Sequence, residues 1–449
     1  MSPDRLAMLA LAGSLLAVFS GLMWRRSKLL AVTWILAVTF IPVWAGVTIG
    51  IGFQPAAYVG LFVLALLLTD GEGRRLPLRW YDLAVMVFFA LCVVASQAGT
   101  STLEAMTVPV TKWGVGYAVG RVLYARVGGD FLGRCLTVAF GVAAAMGIVE
   151  SLSGTNIFFE FPMGKGNSAY RAWAVLQERA GYWRAEAAFG HSIAFGCSIA
   201  MALPLIVVSS FRPWVKVLAG AVMAGALVLS FSRLSLIVAG VGLALTVLSP
   251  ASGLSRRIRG WVLSGMALFA VVAMPFILAT VDEAGSEAEE SALYRGRLWD
   301  LADTVELFGL ASSAHISPSG TLYFGQFRSI DNAVLLGAMT YGWLPIALGS
   351  GILLVGAIGL LRGYYSAPLA GVLAQTPGLF SVAFITQYEV FYWALVGMAC
   401  AAAAEAHEAR ELAGPQVDTP TTTSGNASPD APVDILSDRD IGTSRSQSS

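Results

Sequence analysis

From residue 6 to residue 404 the chain is a succession of apolar runs, most of them about 17 to 22 residues long, the length of helix that crosses a hydrocarbon layer. A run of that kind must satisfy its peptide groups internally and hide its side chains in lipid or protein. The chain is therefore expected to be an all-α, polytopic helical membrane protein. Candidate spans fall near 6–23, 29–49, 54–69, 82–98, 109–124, 135–152, 191–210, 215–231, 234–249, 261–280, 344–361, 367–385 and 389–404, which is about 12 to 13 transmembrane helices by hydropathy. Residues 332–343 are apolar but run into Gly342 and Pro345, which suits a half-helix entering the membrane. Charge content agrees: 12% of the 449 residues are charged, about half the roughly 25% of a soluble domain, and mean hydropathy is +0.71. Acidic and basic residues balance at 28 each, so no nucleic-acid partner is expected.

Lys and Arg gather in alternate short loops: Arg25, Arg26 and Lys28; Arg74, Arg75 and Arg79; Arg126 and Arg134; Arg212 and Lys216; Arg256, Arg257 and Arg259; and Arg362. The positive-inside rule makes these cytoplasmic and the long loops 153–190 and 281–331 external. The expected organisation is N-terminal transmembrane helices over 1–152, a first outer loop over 153–190, central helices over 191–280 and a large outer loop over 281–331. A re-entrant segment with C-terminal helices follows over 332–404, and then a disordered cytoplasmic tail over 405–449, rich in Pro, Thr, Ser and Gly. The first apolar run lacks a small-residue cleavage site and reads as a retained span. Cys92, Cys135, Cys197 and Cys400 all fall in apolar spans, which points to packing rather than disulfides or metal.

Charged and titratable residues inside such a chain are the candidates for function. Arg233, in Phe231-Ser-Arg233-Leu-Ser, sits between two spans with almost no loop. It can be a snorkelling interfacial anchor or a bidentate ligand for a lipid-linked phosphate. His191 opens a span after a Gly and can be an interfacial hydrogen-bonding group or a substrate contact; His315 lies in a Ser-rich loop. Asp331-Asn332 stands where the second loop re-enters the apolar phase. Either residue suits a helix N-cap, and an Asp held there can also act as a general base for a sugar hydroxyl. The acidic run Asp282, Glu283, Glu287, Glu289 and Glu290 reads as a solvated helix start or loop. No phosphate-binding loop, dinucleotide fingerprint, zinc spacing or nucleophile elbow occurs, so no cofactor and no metal is expected.

In order along the chain, Phe189-Gly-His-Ser-Ile-Ala-Phe-Gly, Phe231-Ser-Arg233, Tyr294-Arg295-Gly-Arg297, Phe308-Gly309 and Asp331-Asn332 with Tyr341-Gly-Trp resemble the O-antigen ligase and O-antigen polymerase-like family of bacterial membrane glycosyltransferases. The likeness covers roughly 150–393. It implies a C-type glycosyltransferase-like fold in the bacterial cytoplasmic (inner) membrane, acting on a lipid-linked oligosaccharide carried on undecaprenyl pyrophosphate. By the resemblance, Arg233, Arg184, Arg295, Arg297, Arg328 and Asn332 would bind substrate. By the resemblance the base would be Asp331; ligase-type members usually carry His at that position, which makes His191 and His315 the alternatives. Implied partners are the bilayer and polysaccharide-assembly proteins such as a flippase and a chain-length regulator. The expected activity is polymerisation of lipid-linked repeat units into surface polysaccharide. The alternatives are ligase-type transfer to another acceptor and, from a different class, secondary transport of an anionic solute.

Overall fold

The computed structural model describes residues 20–49, 51–69, 77–97, 102–161, 163–165, 167–179, 181–283, 293–294, 296–317 and 322–413, with the side chains of 272–283 left aside. The expected span at 6–23 lies almost wholly outside these residues, as do Arg295, Glu287, Glu289, Glu290 and the tail beyond Ala413. The chain divides into units 1–408 and 409–449; of the second, only the end of the last helix is described.

The described chain is mostly helical. Trp80–Gln97, Leu103–Ser153, Trp343–Leu361 and Tyr388–Leu412 are long and apolar enough to cross a membrane. Ser27–Phe40, Pro55–Thr69, Ser192–Val208, Pro213–Leu229 and Arg233–Leu248 are shorter apolar helices. Four expected spans are reshaped. Window 29–49 is helical only over Ser27–Phe40 and continues as a 3-10 turn at Val43–Ala45 and a strand at Val47–Ile49. Windows 109–124 and 135–152 belong to one helical run broken at Gly128, whose φ of 78° only glycine adopts without strain, with a π-helical turn at Pro109–Gly114. Window 367–385 is two short helices, Ala367–Ala374 and Thr376–Leu379, and helix resumes only at Tyr388. Pro377 has no N–H with which to continue the ladder.

Side-chain contacts fix the direction of each helix. Ser192–Val208 runs antiparallel to residues 129–153, since Gly147 abuts Phe195 while Gly133 abuts the Leu205 carbonyl. It runs parallel to Arg233–Leu248, since Gly196 abuts Ser235 and Gly242 abuts Pro204. One end of the bundle collects basic groups. There Lys28 lies 5.7 Å over the Phe131 ring, Arg126 donates to the Leu67 carbonyl at 3.0 Å, Arg134 pairs with Asp130 at 3.2 Å and Lys216 donates to the Val207 carbonyl at 2.8 Å. The other end carries the long loops: Ala185 N–H donates to Leu229 O at 2.9 Å, and the Gln387 amide spans Ile41 O and Ala188 O at 3.2 Å each.

The segment expected as a half-helix is a nine-residue helix, Ala333–Tyr341, ended by Gly342 at φ 91°. Its first free N–H, on Ala333, donates to Val382 O at 3.1 Å, so the helix start and the non-helical stretch 380–387 satisfy one another. The second loop wraps this helix, with Gly309 N–H on Tyr341 O and Ala311 N–H on Met339 O, around a small core of Leu298, Leu301, Ala311, Phe324, Ile330, Leu335 and Met339.

The closest helix approach is between residues 115–127 and Tyr388–Ala413. A Cβ added at Gly120 would collide with the Ala394 carbonyl, whereas one at Gly240 meets nothing within 4 Å. Gly120→Val is therefore expected to destabilise the protein by about 2 kcal/mol or more in detergent unfolding, and Gly240→Ala to be neutral or slightly stabilising. Equal melting curves for the two variants would show that these helices do not meet at Gly120.

Candidate functional site

Between the helices Pro213–Leu229 and Arg233–Leu248 the chain reverses in three residues. Ser230 caps the first helix, Phe231 takes a left-handed φ of 49°, and Ser232 starts the second by accepting Ser235 N–H on its hydroxyl at 3.2 Å. A helix on each side cannot satisfy the carbonyls of so tight a turn, so they need outside donors. The first loop supplies them. A small hairpin, with Glu178–Arg179 paired to Tyr182–Trp183, stacks Tyr182 on Phe231 at 5.7 Å. It brings Arg184 Nε to Ser230 O at 3.0 Å and Arg179 Nη1 to Phe231 O at 3.4 Å.

Three arginines thus share one turn. Arg184 is half-buried; burial first, and then the neighbouring Arg179, lower its guanidinium to about 10, so it stays charged at physiological pH. Arg179 keeps a buried Nε without a hydrogen-bond partner. Arg233 is exposed, at the first position of its helix. A cation there opposes the helix dipole and does nothing for the helix itself, whereas an anion would be favoured by both. The arrangement can bind an oxyanion through forked N–H donors.

Gln177 ties the site together. Its side-chain oxygen accepts from Arg184 Nη1 at 3.0 Å and from the Ser192 hydroxyl at 3.4 Å, and its backbone N–H donates to Glu186 Oε1 at 3.2 Å. Glu150, at the end of the long helical run, accepts from Asn156 Nδ2 at 2.7 Å and from the N–H groups of Glu186 and Ala187 at 3.3 and 2.8 Å. Burial, followed by the charge of Glu150, pushes the Glu186 carboxyl up to about 8.

His191 caps Ser192–Val208: its Nδ1 accepts Ile193 N–H at 3.2 Å and its ring meets Trp173 edge-on at 6.0 Å. Burial, and to a smaller degree Arg184, hold the imidazole down at about 4. It is neutral with the proton on Nε2, which makes it a donor at this site rather than a base.

The remaining expected residues lie on the second loop, and among the described residues no side-chain contact joins them to the arginine turn. Asn332, not Asp331, is the N-cap of Ala333–Tyr341, accepting Leu335 N–H at 2.9 Å. Asp331 is exposed beside Tyr294, whose hydroxyl is pushed up by burial and then by that carboxylate. His315 is exposed on a strand and stacks on its cross-strand partner Tyr323 at 5.7 Å. Arg297 and Arg328 are exposed. Residues 380–387 bond to both groups, to Ala333 at Val382 and to Ala188 through Gln387. Gln177 and Glu186 escaped the sequence reading because an acid or amide in a polar loop carries no periodic signal; Glu150 did carry one, as the acid inside the expected span 135–152, and was passed over. Arg179 was not among the expected substrate-binding residues. No protein-family model matches the chain, and no curated protein matches it.

Because the His191 fold-state favours the neutral ring, its contribution to stability is complete above the ordinary value of 6.5 and is lost as pH falls toward about 4. The loss should be on the order of 3 kcal/mol. His191→Asn keeps a capping side chain without a titrating group, so its acid unfolding limb should be flatter than that of the parent protein in detergent melts. Superimposable acid limbs would show that His191 is not held neutral.

Proposed function

We propose that the protein is a membrane glycosyltransferase that polymerises undecaprenyl-pyrophosphate-linked oligosaccharide repeats at the outer face of a bacterial cytoplasmic membrane. One observation carries the reading: Arg179, Arg184 and Arg233 meet at a three-residue turn, at the bundle end opposite the basic short loops. With those short loops cytoplasmic, the arginine turn and both long loops face outward. No nucleotide is available there, and a pyrophosphate-linked donor brings its own leaving group. The chain then has to supply cations for the charge that develops on the departing pyrophosphate and a base for the acceptor hydroxyl. Arg233, with Arg184 and Arg179 behind it, suits the first task. The exposed carboxylate of Asp331, held beside the capped start of Ala333–Tyr341, suits the second. Ligase-type transfer uses the same chemistry with a different acceptor.

Topology has a direct check. Single cysteines at the exposed Ser168 and Gln326 should react with an impermeant maleimide in intact cells, and one at the exposed Ala251 only after permeabilisation. The reverse pattern would place the arginine turn in the cytoplasm and end the proposal.

Arg233→Lys keeps the charge but loses the fork, and should lower turnover about 30-fold to 1000-fold, the equivalent of about 2 to 4 kcal/mol. Asp331→Asn should leave the Asn332 cap intact while reducing turnover about 100-fold. Normal rates in both variants, with normal insertion, would remove the site.

Product decides the reaction. Purified protein given only lipid-linked repeat units should build a ladder of lengthening chains. Transfer only upon addition of a different glycolipid would make it a ligase instead.

A further inference from the structure

Glu186 is fully buried, one residue of a pair of carboxyls sealed under the first loop. Its partner, Glu150, receives three N–H donors across its two oxygens, the pattern expected of a carboxylate. Glu186 receives one, from Gln177, and its Oε2 has no hydrogen-bond partner. Burial disfavours the Glu186 carboxylate and the charge of Glu150 disfavours it further, so with a single donor and an unpartnered oxygen Glu186 is the acid that keeps its proton. The charged and titratable groups around it are Glu150 from the long helical run, Arg184 and Arg179 from the hairpin, and His191 at the start of the next helix. His191 is held neutral, so the charges that act on Glu186 are Glu150, which favours its protonation, and Arg184, which opposes it.

Gln177 links Glu186 to Arg184. The backbone N–H of Gln177 is bound to Glu186 while its side-chain oxygen orients Arg184 on the Ser230 turn. We infer that Glu186 is the positioning residue of the arginine site: as the neutral acid it leaves the charge of Arg184 for an oxyanion, and as the carboxylate it takes that charge up. An anion arriving at the turn therefore draws a proton onto Glu186, and a loss of that proton expels the anion. The proton comes from solvent and no bond other than O–H is made or broken. This rests on reading the arginine turn as an anion site, and it adds a coupled proton to it.

The test uses the full chain in detergent and sulfate as probe, because its charge is constant over the range. Binding is followed by calorimetry or tryptophan fluorescence between pH 6.5 and 9.0. For a group titrating near the about 8 given above, sulfate affinity should fall about tenfold by pH 9.0. In Glu186→Gln, which keeps the neutral form at every pH, the fall should be less than about twofold. Calorimetry of the unmodified protein in buffers of differing ionisation enthalpy should show uptake of a fraction of a proton per sulfate near pH 8, an arm that needs no variant to fold. Affinity that falls equally in both proteins, or binding without proton uptake, overturns the role of Glu186 and leaves the anion site standing. Absence of sulfate binding at every pH overturns the anion site and Glu186 with it.

Discussion

The carbonyls of Ser230 and Phe231 are where the polar loops and the apolar bundle are joined. Two helices meet there in a turn too short to satisfy its own backbone, and in an apolar surrounding each unsatisfied carbonyl costs several kcal/mol. Arg184 and Arg179 meet that need at 3.0 and 3.4 Å. The same two bonds set where the hairpin sits, how Gln177 is oriented, and how much positive charge stands beside Arg233. A defect in backbone satisfaction has thus been made into a cationic site.

The same physics recurs at the second loop. The non-helical stretch 380–387 leaves carbonyls that no helix can use, and the short helix Ala333–Tyr341 begins with N–H groups that no helix can use. The bond from Ala333 to Val382 pairs one of each. Asn332 satisfies another by capping, which leaves Asp331 free of structural duty and exposed. The neighbouring amide of Gln387, bridging Ile41 and Ala188, fastens the stretch to the first loop. Irregular backbone in this part of the bundle is held by other irregular backbone, which is how the two loops come to flank one segment.

Electrostatics and burial then divide the titratable groups by task. Arg184 is lowered but still charged, His191 is kept neutral, and Glu186 is raised to about 8, all within one loop. These departures have the same first cause, desolvation, and different second causes, the charges of Arg179, Arg184 and Glu150 respectively. Burial and neighbouring charge thus drive the proton affinities of adjacent groups apart, the pattern on which the anion-site proposal draws.

What the sequence determined alone follows from periodicity and length. Apolar runs of about 20 residues can only be helices in an apolar phase, so the all-α class and most helix positions were legible. So was the end of the short helix Ala333–Tyr341, from Gly342. Arg233 was legible because a fixed charge is conspicuous between apolar runs. Tertiary structure decided the rest, because it concerns which groups far apart in the chain supply one another's missing hydrogen bonds. Nothing local says that Arg184 will reach Ser230, 46 residues on, or that Glu150 will face Glu186. The break after Ala374 was hidden by its apolar residues. The choice of Asn332 over Asp331 as the cap was settled by a single N–H direction, at Leu335, that no composition records.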